Sequence, residues 1–237
     1  MNGSGLEPVP HKLSRDVRLW QVDLDAYAQA VALDGLSREE EARAARMVPG
    51  QDGRRYRAAR HALRRVIAEI VNAPPESLVI EPDDLGKPRL NGSGLQFNLS
   101  HSAHWALIGV SPDRAIGVDI KIVHKVVDAA ALARAHFTNA ERAAWLRAAA
   151  AARDRTFLTC WTRKEACVKA LGVGLSAGPE AVEVGCAPDA PVVAIRLGTE
   201  DCEVTLESLR LPGESVAAVA LAAPEAVRVA REFFRRA

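Results

Sequence analysis

The chain has 237 residues, of which 49% are hydrophobic and 26% are charged, and its formal net charge is +1. This length and composition allow one large or two small globular domains, each with its own hydrophobic core. The near-neutral charge indicates neither nucleic acid nor a membrane surface as a partner, and no apolar run approaches the roughly 18 residues of a membrane span.

The N-terminus and the cysteines indicate in which cellular compartment the protein is expected. Residues 1–16 lack the apolar core of a signal peptide and are predicted to be a disordered lead-in. The four cysteines are scattered and form no C-x-x-C pair. Such a pattern is typical of buried thiols in a reducing compartment, so we expect a cytoplasmic protein.

The first half of the chain predicts a strand, two helices and then further strands. Residues 17–24 alternate as in a strand, and Ser37 with Glu40 forms the capping box of a helix. An arginine-rich helix follows over residues 54–72, ended by "APP". Residues 78–82 then predict a strand. Residues 95–111 and 115–123 predict two more strands, joined by the turn "SPDR".

The second half predicts helices and then strands. Residues 127–152 are helical with a restart at Asn139, and residues 154–171 form a further helix stopped by "GVG" at 172–174. Strands are expected at 182–185, 192–198, 202–211 and 215–223, before a closing helix. The order favours an α+β fold over an alternating α/β fold. We expect two similar halves, residues 17–116 and 117–237.

An aspartate interrupts an apolar strand in the stretch "RAIGVDIKIVHK". Strand alternation places Asp119 and Lys121 on the side opposite Val118 and Ile120. A carboxylate there costs free energy unless Lys121 or a metal ion meets it. On the helix "WTRKEACVKAL", Glu165 and Lys169 share one face.

These carboxylates have two interpretations. A strand carboxylate facing a helix carboxylate suits Mg²⁺ in a phosphate-transfer site. The alternatives are a structural Asp119–Lys121 salt bridge and a surface Glu165–Lys169 pair, and the residues alone leave both open.

Other polar residues predict a pocket for a small anion. In "FNLSHS", Ser100 and Ser102 share one side of a strand and His101 lies on the other, which disfavours a local serine–histidine catalytic pair. Lys87 in a Gly–Pro turn is as typical of a solvated loop as of a site, and the arginines at 54–65 by themselves favour a solvated helix face. Taken together, these clusters favour an anionic ligand.

"FNLSHS", "IGVDI" and "WTRKEACVKALGVGL", in this order and at this spacing, closely resemble the 4′-phosphopantetheinyl transferases. The length fits the larger, surfactin-synthetase-activating type, and the resemblance spans roughly residues 17–222, including "GKP" and "AARHALR". It implies a pseudo-twofold arrangement of two similar α+β halves within one monomeric chain, with coenzyme A bound in the cleft between them.

The resemblance also implies a reaction. With Mg²⁺, the serine hydroxyl of an apo acyl or peptidyl carrier protein attacks the β-phosphate of coenzyme A, phosphopantetheine is transferred, and adenosine 3′,5′-bisphosphate leaves. The carrier could serve fatty acid, polyketide, nonribosomal peptide or siderophore synthesis.

The resemblance assigns roles to individual residues. Asp119 and Glu165 match the metal ligands, Glu165 also matches the group that takes the serine proton, and Lys169 matches a contact to the phosphates. The implied positions of the coenzyme A pocket are Arg60, Lys87, Ser100 and His101, with Arg43 and Arg46 as further basic positions in a looser alignment.

Lys121 departs from the family pattern, in which an acid often provides a third metal ligand. A protonated lysine cannot ligate Mg²⁺, so we expect a site with two protein carboxylates. The alternative to a transferase is a protein that is not an enzyme, namely a module that binds coenzyme A or a carrier protein. A metal-dependent nucleotide diphosphate hydrolase is the third hypothesis.

Overall fold

The computed structural model describes residues 5–47, 50–173, 182–187, 192–197 and 200–236. Ten strands lie in these ranges: β1 Leu6–Pro8, β2 Arg18–Asp23, β3 Ile80–Pro82, β4 Pro88–Leu90, β5 Gln96–Ser102, β6 Trp105–Ser111, β7 Ala115–Ile122, β8 Val192–Leu197, β9 Glu200–Leu209 and β10 Ser215–Ala222. The α-helices there are α1 Leu24–Ala30, α2 Arg38–Ala45, α3 Gln51–Val71, α4 Ala129–His136, α5 Asn139–Arg147, α6 Arg153–Leu171 and α7 Pro224–Arg236. None of the described helices is long and apolar enough to cross a membrane.

The first half contains an antiparallel sheet in the order β1-β2-β6-β5. The helix α3 packs on it because apolar residues recur at helical spacing along one face, so that Leu63 and Ile67 share a core with Phe97 and Ile108. The helix ends at Asn72, which adopts the left-handed conformation. Strands β3 and β4 form a separate hairpin beside this sheet.

The second half contains an antiparallel sheet in the order β7-β10-β9-β8, with α6 packed on β7 and β10. Gly117 allows the close approach, because a Cβ atom there would overlap the carbonyl oxygen of Ala166 and the amide nitrogen of Ala170. The glycine therefore brings the helix backbone directly onto the strand that carries Asp119.

The edge strands β5 and β7 lie side by side where the two sheets meet. Apolar residues from both sheets, including Leu107, Val118 and Val219, form a shared core there. The predicted α+β fold of two halves is confirmed. We propose that the halves divide between Ser111 and Ala115, where the chain leaves one sheet for the other, because residue 116 itself lies within β7.

Several local predictions are wrong. Residues 95–111 form two strands, since the chain reverses at Ala103 with a φ of 50°, and β7 pairs with β10 instead of continuing a hairpin from β6. The described part of the lead-in is not disordered, because β1 pairs with β2 and Val9 is buried. Residues 182–185 form no strand. The helix does restart at Asn139, as predicted, and Thr138 caps it in a capping box with Glu141.

Three predictions fall partly outside the described residues, namely those for the first four residues of the lead-in, for Gly174 of the predicted helix stop and for Gly198 of the predicted strand 192–198. Within the described part of that stop, Gly172 ends α6 in the left-handed conformation, as predicted. All four cysteines are buried thiols, as predicted.

Candidate active site

Asp119 lies on β7 with no exposed surface. Its Oδ1 atom accepts a hydrogen bond from the Ser100 hydroxyl at 2.7 Å and lies 2.6 Å from Nζ of Lys169. Its Oδ2 atom is buried and has no hydrogen-bond partner among the described residues. One oxygen of this carboxylate is therefore neutralised, and the other is available to a ligand.

Glu165 and Lys169 reach the same point from α6. Lys169 Nζ lies 3.8 Å from Oε2 of Glu165, across one helical turn, so the lysine bridges the two carboxylates. Burial has the largest effect on the pKa of Glu165 and raises it; Lys169 opposes this rise and the negative charge of Asp119 adds to it. A carboxyl group with a raised pKa is a better proton acceptor than an ordinary glutamate.

Lys121 lies at the edge of this cluster. Its Nζ atom is 4.0 Å from Oδ2 of Asp119, and its side chain is 31% exposed. The predicted Asp119–Lys121 contact is thus present but longer than the Lys169 contact. The ammonium is close enough to pair with a further anion placed beside Oδ2.

The strand β5 connects this cluster to the other half. Asn98 Oδ1 accepts a bond from the Val118 amide at 2.9 Å, and Ser102 Oγ accepts one from the Ile122 amide at 3.1 Å. Together with Ser100, these residues alternate along β5 and reach β7 from one side. Ser100 therefore holds Asp119 in place, and it does not line the large cavity of the first half.

A cavity of about 810 Å³ lies on the first half. Its walls come from α2, α3, the β3–β4 hairpin and β5, and they include His101, Arg43 and Arg60. Arg46, which was predicted beside Arg43, is not part of its lining. Two of the three predicted arginines thus border a space large enough for a nucleotide-sized ligand.

A buried ion network fixes the arginine side of the cavity. Glu40 receives bonds from Arg60 at 2.6 Å and from Arg64 at 2.7 Å. Burial alone would raise the pKa of Glu40, but the Ser37 amide and these two guanidinium groups outweigh it and hold the pKa below its usual value. Arg43 instead lies over the Tyr56 ring at 5.6 Å, which leaves its charge available to a ligand.

His101 borders the cavity from the exposed face of β5. Partial burial lowers the pKa of its imidazole, and the positive charges of Lys121 and Lys169 lower it further. His101 is thus the residue that lies between the cavity and the carboxylate cluster.

Lys87 does not line the cavity. Its ammonium donates to the carbonyl oxygens of Ile116 at 3.1 Å and of Ala170 at 3.0 Å. The structure thus places the ammonium of this lysine in contact with the second half, and its predicted contact to a phosphate stays a prediction.

Comparison with known proteins assigns this arrangement to a family. Residues 115–221 match the model of the 4′-phosphopantetheinyl transferase superfamily, and residues 18–113 match that of the 4′-phosphopantetheinyl transferase N-terminal domain. The chain belongs to the 4′-phosphopantetheinyl transferase superfamily.

Individual relatives agree with this result. The transferase is 34% identical over 186 residues to 4′-phosphopantetheinyl transferase HetI of a Nostoc species, covering 76% of this chain and 78% of the relative. It is 28% identical over 205 residues to a phosphopantetheinyl transferase of a Thraustochytrium species, covering 79% and 70% of the two chains. It is 33% identical over 128 residues to 4′-phosphopantetheinyl transferase psf-1 of Bacillus pumilus, covering 54% of each chain. The transferase is accordingly an enzyme, and a non-catalytic binding module is not favoured.

Sequence reasoning missed the buried charges that support α6 in the transferase. Lys164 lies 2.7 Å from Oε2 of Glu141, and each side chain is 1% exposed. Arg163 donates to the Val184 carbonyl at 2.8 Å, and Lys164 donates to that of Val182. Nearly every residue of α6 from Phe157 to Leu171 is buried, but the charged residues within "CWTRKEAC" gave no sequence signal of that burial.

Proposed function

We propose that this transferase moves 4′-phosphopantetheine from coenzyme A to a serine of an apo acyl or peptidyl carrier protein and releases adenosine 3′,5′-bisphosphate. The observation that carries the proposal is the meeting of Asp119, Glu165 and Lys169 where β7 contacts α6. Two carboxylates and an ammonium, next to the strand β5 that also borders a cavity of nucleotide size, are the groups that phosphoryl transfer from such a donor requires.

The carboxylates fit a hard divalent cation. Among the described residues, no group of three or more His, Cys, Asp or Glu side chains forms a metal site. Asp119 and Glu165 would hold Mg²⁺ as a pair, because Oδ2 of Asp119 has no hydrogen-bond partner in the described part of the chain and Mg²⁺ takes its remaining ligands from phosphates and water. Bound there, Mg²⁺ would neutralise the charge of the diphosphate.

Glu165 is the proposed general base. Its raised pKa is suited to removing the proton of the serine hydroxyl as the oxygen attacks the β-phosphate. The bond from this phosphorus to the bridging oxygen then breaks, and the charge passes to the leaving adenosine 3′,5′-bisphosphate.

Lys169 and Lys121 supply positive charge on either side of Asp119. Lys169, which already contacts both carboxylates, is placed to donate to the phosphate oxygens. We propose that Lys121 pairs with the diphosphate, since its side chain is 31% exposed and its Nζ atom lies 4.0 Å from Oδ2 of Asp119. The adenosine bisphosphate portion would lie in the cavity beside His101, Arg43 and Arg60. A monomeric state and a cytoplasmic location stay predictions.

Alanine substitutions test the assigned roles. We expect Asp119→Ala and Glu165→Ala each to abolish transfer to an apo carrier while the far-ultraviolet circular dichroism spectrum is unchanged. Matched controls are Asp113→Ala and Glu69→Ala, which remove exposed carboxylates and should retain full turnover. Near-normal turnover in either of the first two variants would exclude its assigned role.

A further inference from the structure

On the side of β7 that faces away from β10, side chains instead of a neighbouring strand form hydrogen bonds with the backbone. An edge strand presents backbone amides and carbonyls that need partners when they are buried. The partners are Lys87 for the Ile116 carbonyl, Asn98 for the Val118 amide, Lys169 for the Val118 carbonyl and Ser102 for the Ile122 amide. Asn98 and Ser102 come from β5 and Lys169 comes from α6, whereas Lys87 comes from the turn between β3 and β4.

Lys87 also binds a second element. Its other hydrogen bond, 3.0 Å long, goes to the carbonyl of Ala170 in the last turn of α6. Carbonyls at a helix C-terminus lack partners within the helix, and a positive charge is favourable there. The ammonium of Lys87 thus connects the two elements that carry the candidate site. It contacts β7 three residues before Asp119, and it contacts α6 one residue after Lys169.

The turn that carries Lys87 is itself held in place. Oδ1 of Asp83 accepts bonds from the amides of Leu85 at 3.0 Å and of Lys87 at 2.9 Å. Oδ2 of Asp83 lies 2.5 Å from Nη2 of Arg231 on α7. The turn is therefore fixed from both ends, by its own backbone and by the last helix of the other half.

We propose that Lys87 is a positioning residue that sets the spacing between β7 and α6, and hence between Asp119 and Glu165, and that it does not bind the nucleotide. The inference rests on the proposed function, because it concerns the same two carboxylates. Two of the three ammonium protons are used by carbonyls, and the side chain does not line the cavity. Loss of the lysine should therefore affect the chemical step more than the binding of coenzyme A.

Steady-state kinetics and direct binding separate the two roles. For Lys87→Met we expect kcat to fall about 10- to 100-fold, as misplaced catalytic groups do, while KM for coenzyme A changes less than about threefold. The Kd of adenosine 3′,5′-bisphosphate, measured by calorimetry, should also stay within about threefold of that of the wild type. The matched control is Lys12→Met, which removes an exposed lysine and should leave all three values unchanged.

A nucleotide contact predicts the opposite result. In that case the Kd and KM would rise more than about tenfold with kcat little changed, and the positioning role would be excluded. An unchanged kcat would exclude it as well. If Lys87→Met does not fold, Arg231→Met replaces it, because this substitution releases the same turn from α7. A several-fold lower kcat at constant Kd would support the inference. Unchanged kinetics would overturn it. Absence of transfer by the wild type would instead refute the proposed function.

Discussion

The Nζ atom of Lys169 lies 2.6 Å from Oδ1 of Asp119, and this ion pair joins α6 to β7 at the centre of the candidate site. The same ammonium is 3.8 Å from Glu165. One lysine therefore contacts both carboxylates, while Oδ2 of Asp119 has no hydrogen-bond partner among the described residues. Each prediction below follows from this arrangement or from the packing that maintains it.

Lys121→Glu should lower the Mg²⁺ concentration needed for half-maximal activity. The substitution places a third carboxylate beside Oδ2 of Asp119, where the lysine lies 4.0 Å away, and added negative charge strengthens binding of a hard cation. Mg²⁺ titration of the transfer rate provides the measurement. Lys125→Glu, the same charge change at an exposed position, is the control. If Lys121→Glu and the wild type need the same Mg²⁺ concentration, then Lys121 does not limit the binding of Mg²⁺ by the two carboxylates.

Gly117→Ala should strongly destabilise the fold. The added Cβ atom would overlap the backbone of α6 at Ala166 and Ala170, so helix and strand must separate, at a cost of about 3 kcal/mol or more. Urea unfolding gives the change in free energy. Gly94→Ala is the control, because its Cβ meets no atom within 4 Å. Similar unfolding midpoints for the two variants would contradict the close packing of α6 on β7.

Glu141→Gln should cost about 3–5 kcal/mol of stability, because it leaves the buried ammonium of Lys164 uncompensated. Urea unfolding again provides the measurement. Glu225→Gln removes an exposed partner of Arg228 and should change the unfolding midpoint little. Equal effects of the buried and the exposed substitution would show that the Glu141–Lys164 pair does not support α6.

The stability contributed by Lys87 should depend on pH. The pKa of Lys87 is lowered to about 8, chiefly by burial and further by Arg89 and Arg231, while Asp83 opposes the shift. An unfolded lysine titrates near 10.4, so between these values the unfolded chain binds more protons than the native one, and stability rises with pH. The penalty for protonating the buried lysine is complete below pH 8.

The free energy of unfolding of the wild type, minus that of Lys87→Met, should therefore increase by on the order of 1 kcal/mol from pH 7 to pH 9.5. Urea unfolding of both proteins at the two pH values measures this difference, in which the titration of all other groups cancels. A difference that is constant or falls with pH would show that the Lys87 pKa is not lowered.

The elements of the fold were predictable because their signals are local. The capping box at Ser37 and Glu40, the helical spacing along α3 and the glycine at the end of α6 each specify a structure within a few residues. The hairpin at Ala103 was missed because its residues lack the usual glycine or asparagine of a tight turn. The pairing of β7 with β10 depends on residues about a hundred positions apart, which no local pattern indicates.

The site was predictable in part for the same reason. Asp119 drew attention as a charge within an apolar strand, and helical spacing placed Glu165 beside Lys169. The partners of Lys87 and Ser100 depend on how the two halves pack, and a lysine in a Gly–Pro turn carries no signal of that packing. Strand alternation did place Ser100 and Ser102 on one side, where both contact β7.

The mass of a carrier protein tests the central claim most directly. Wild-type transferase is incubated with coenzyme A, Mg²⁺ and an apo carrier protein, and the carrier is then measured by intact-protein mass spectrometry. We predict that the carrier gains the mass of one phosphopantetheine group, and that it gains none with Glu165→Ala. A carrier of unchanged mass with coenzyme A intact would indicate a binding module, and breakdown of coenzyme A without any carrier would indicate a hydrolase; either result would contradict the account.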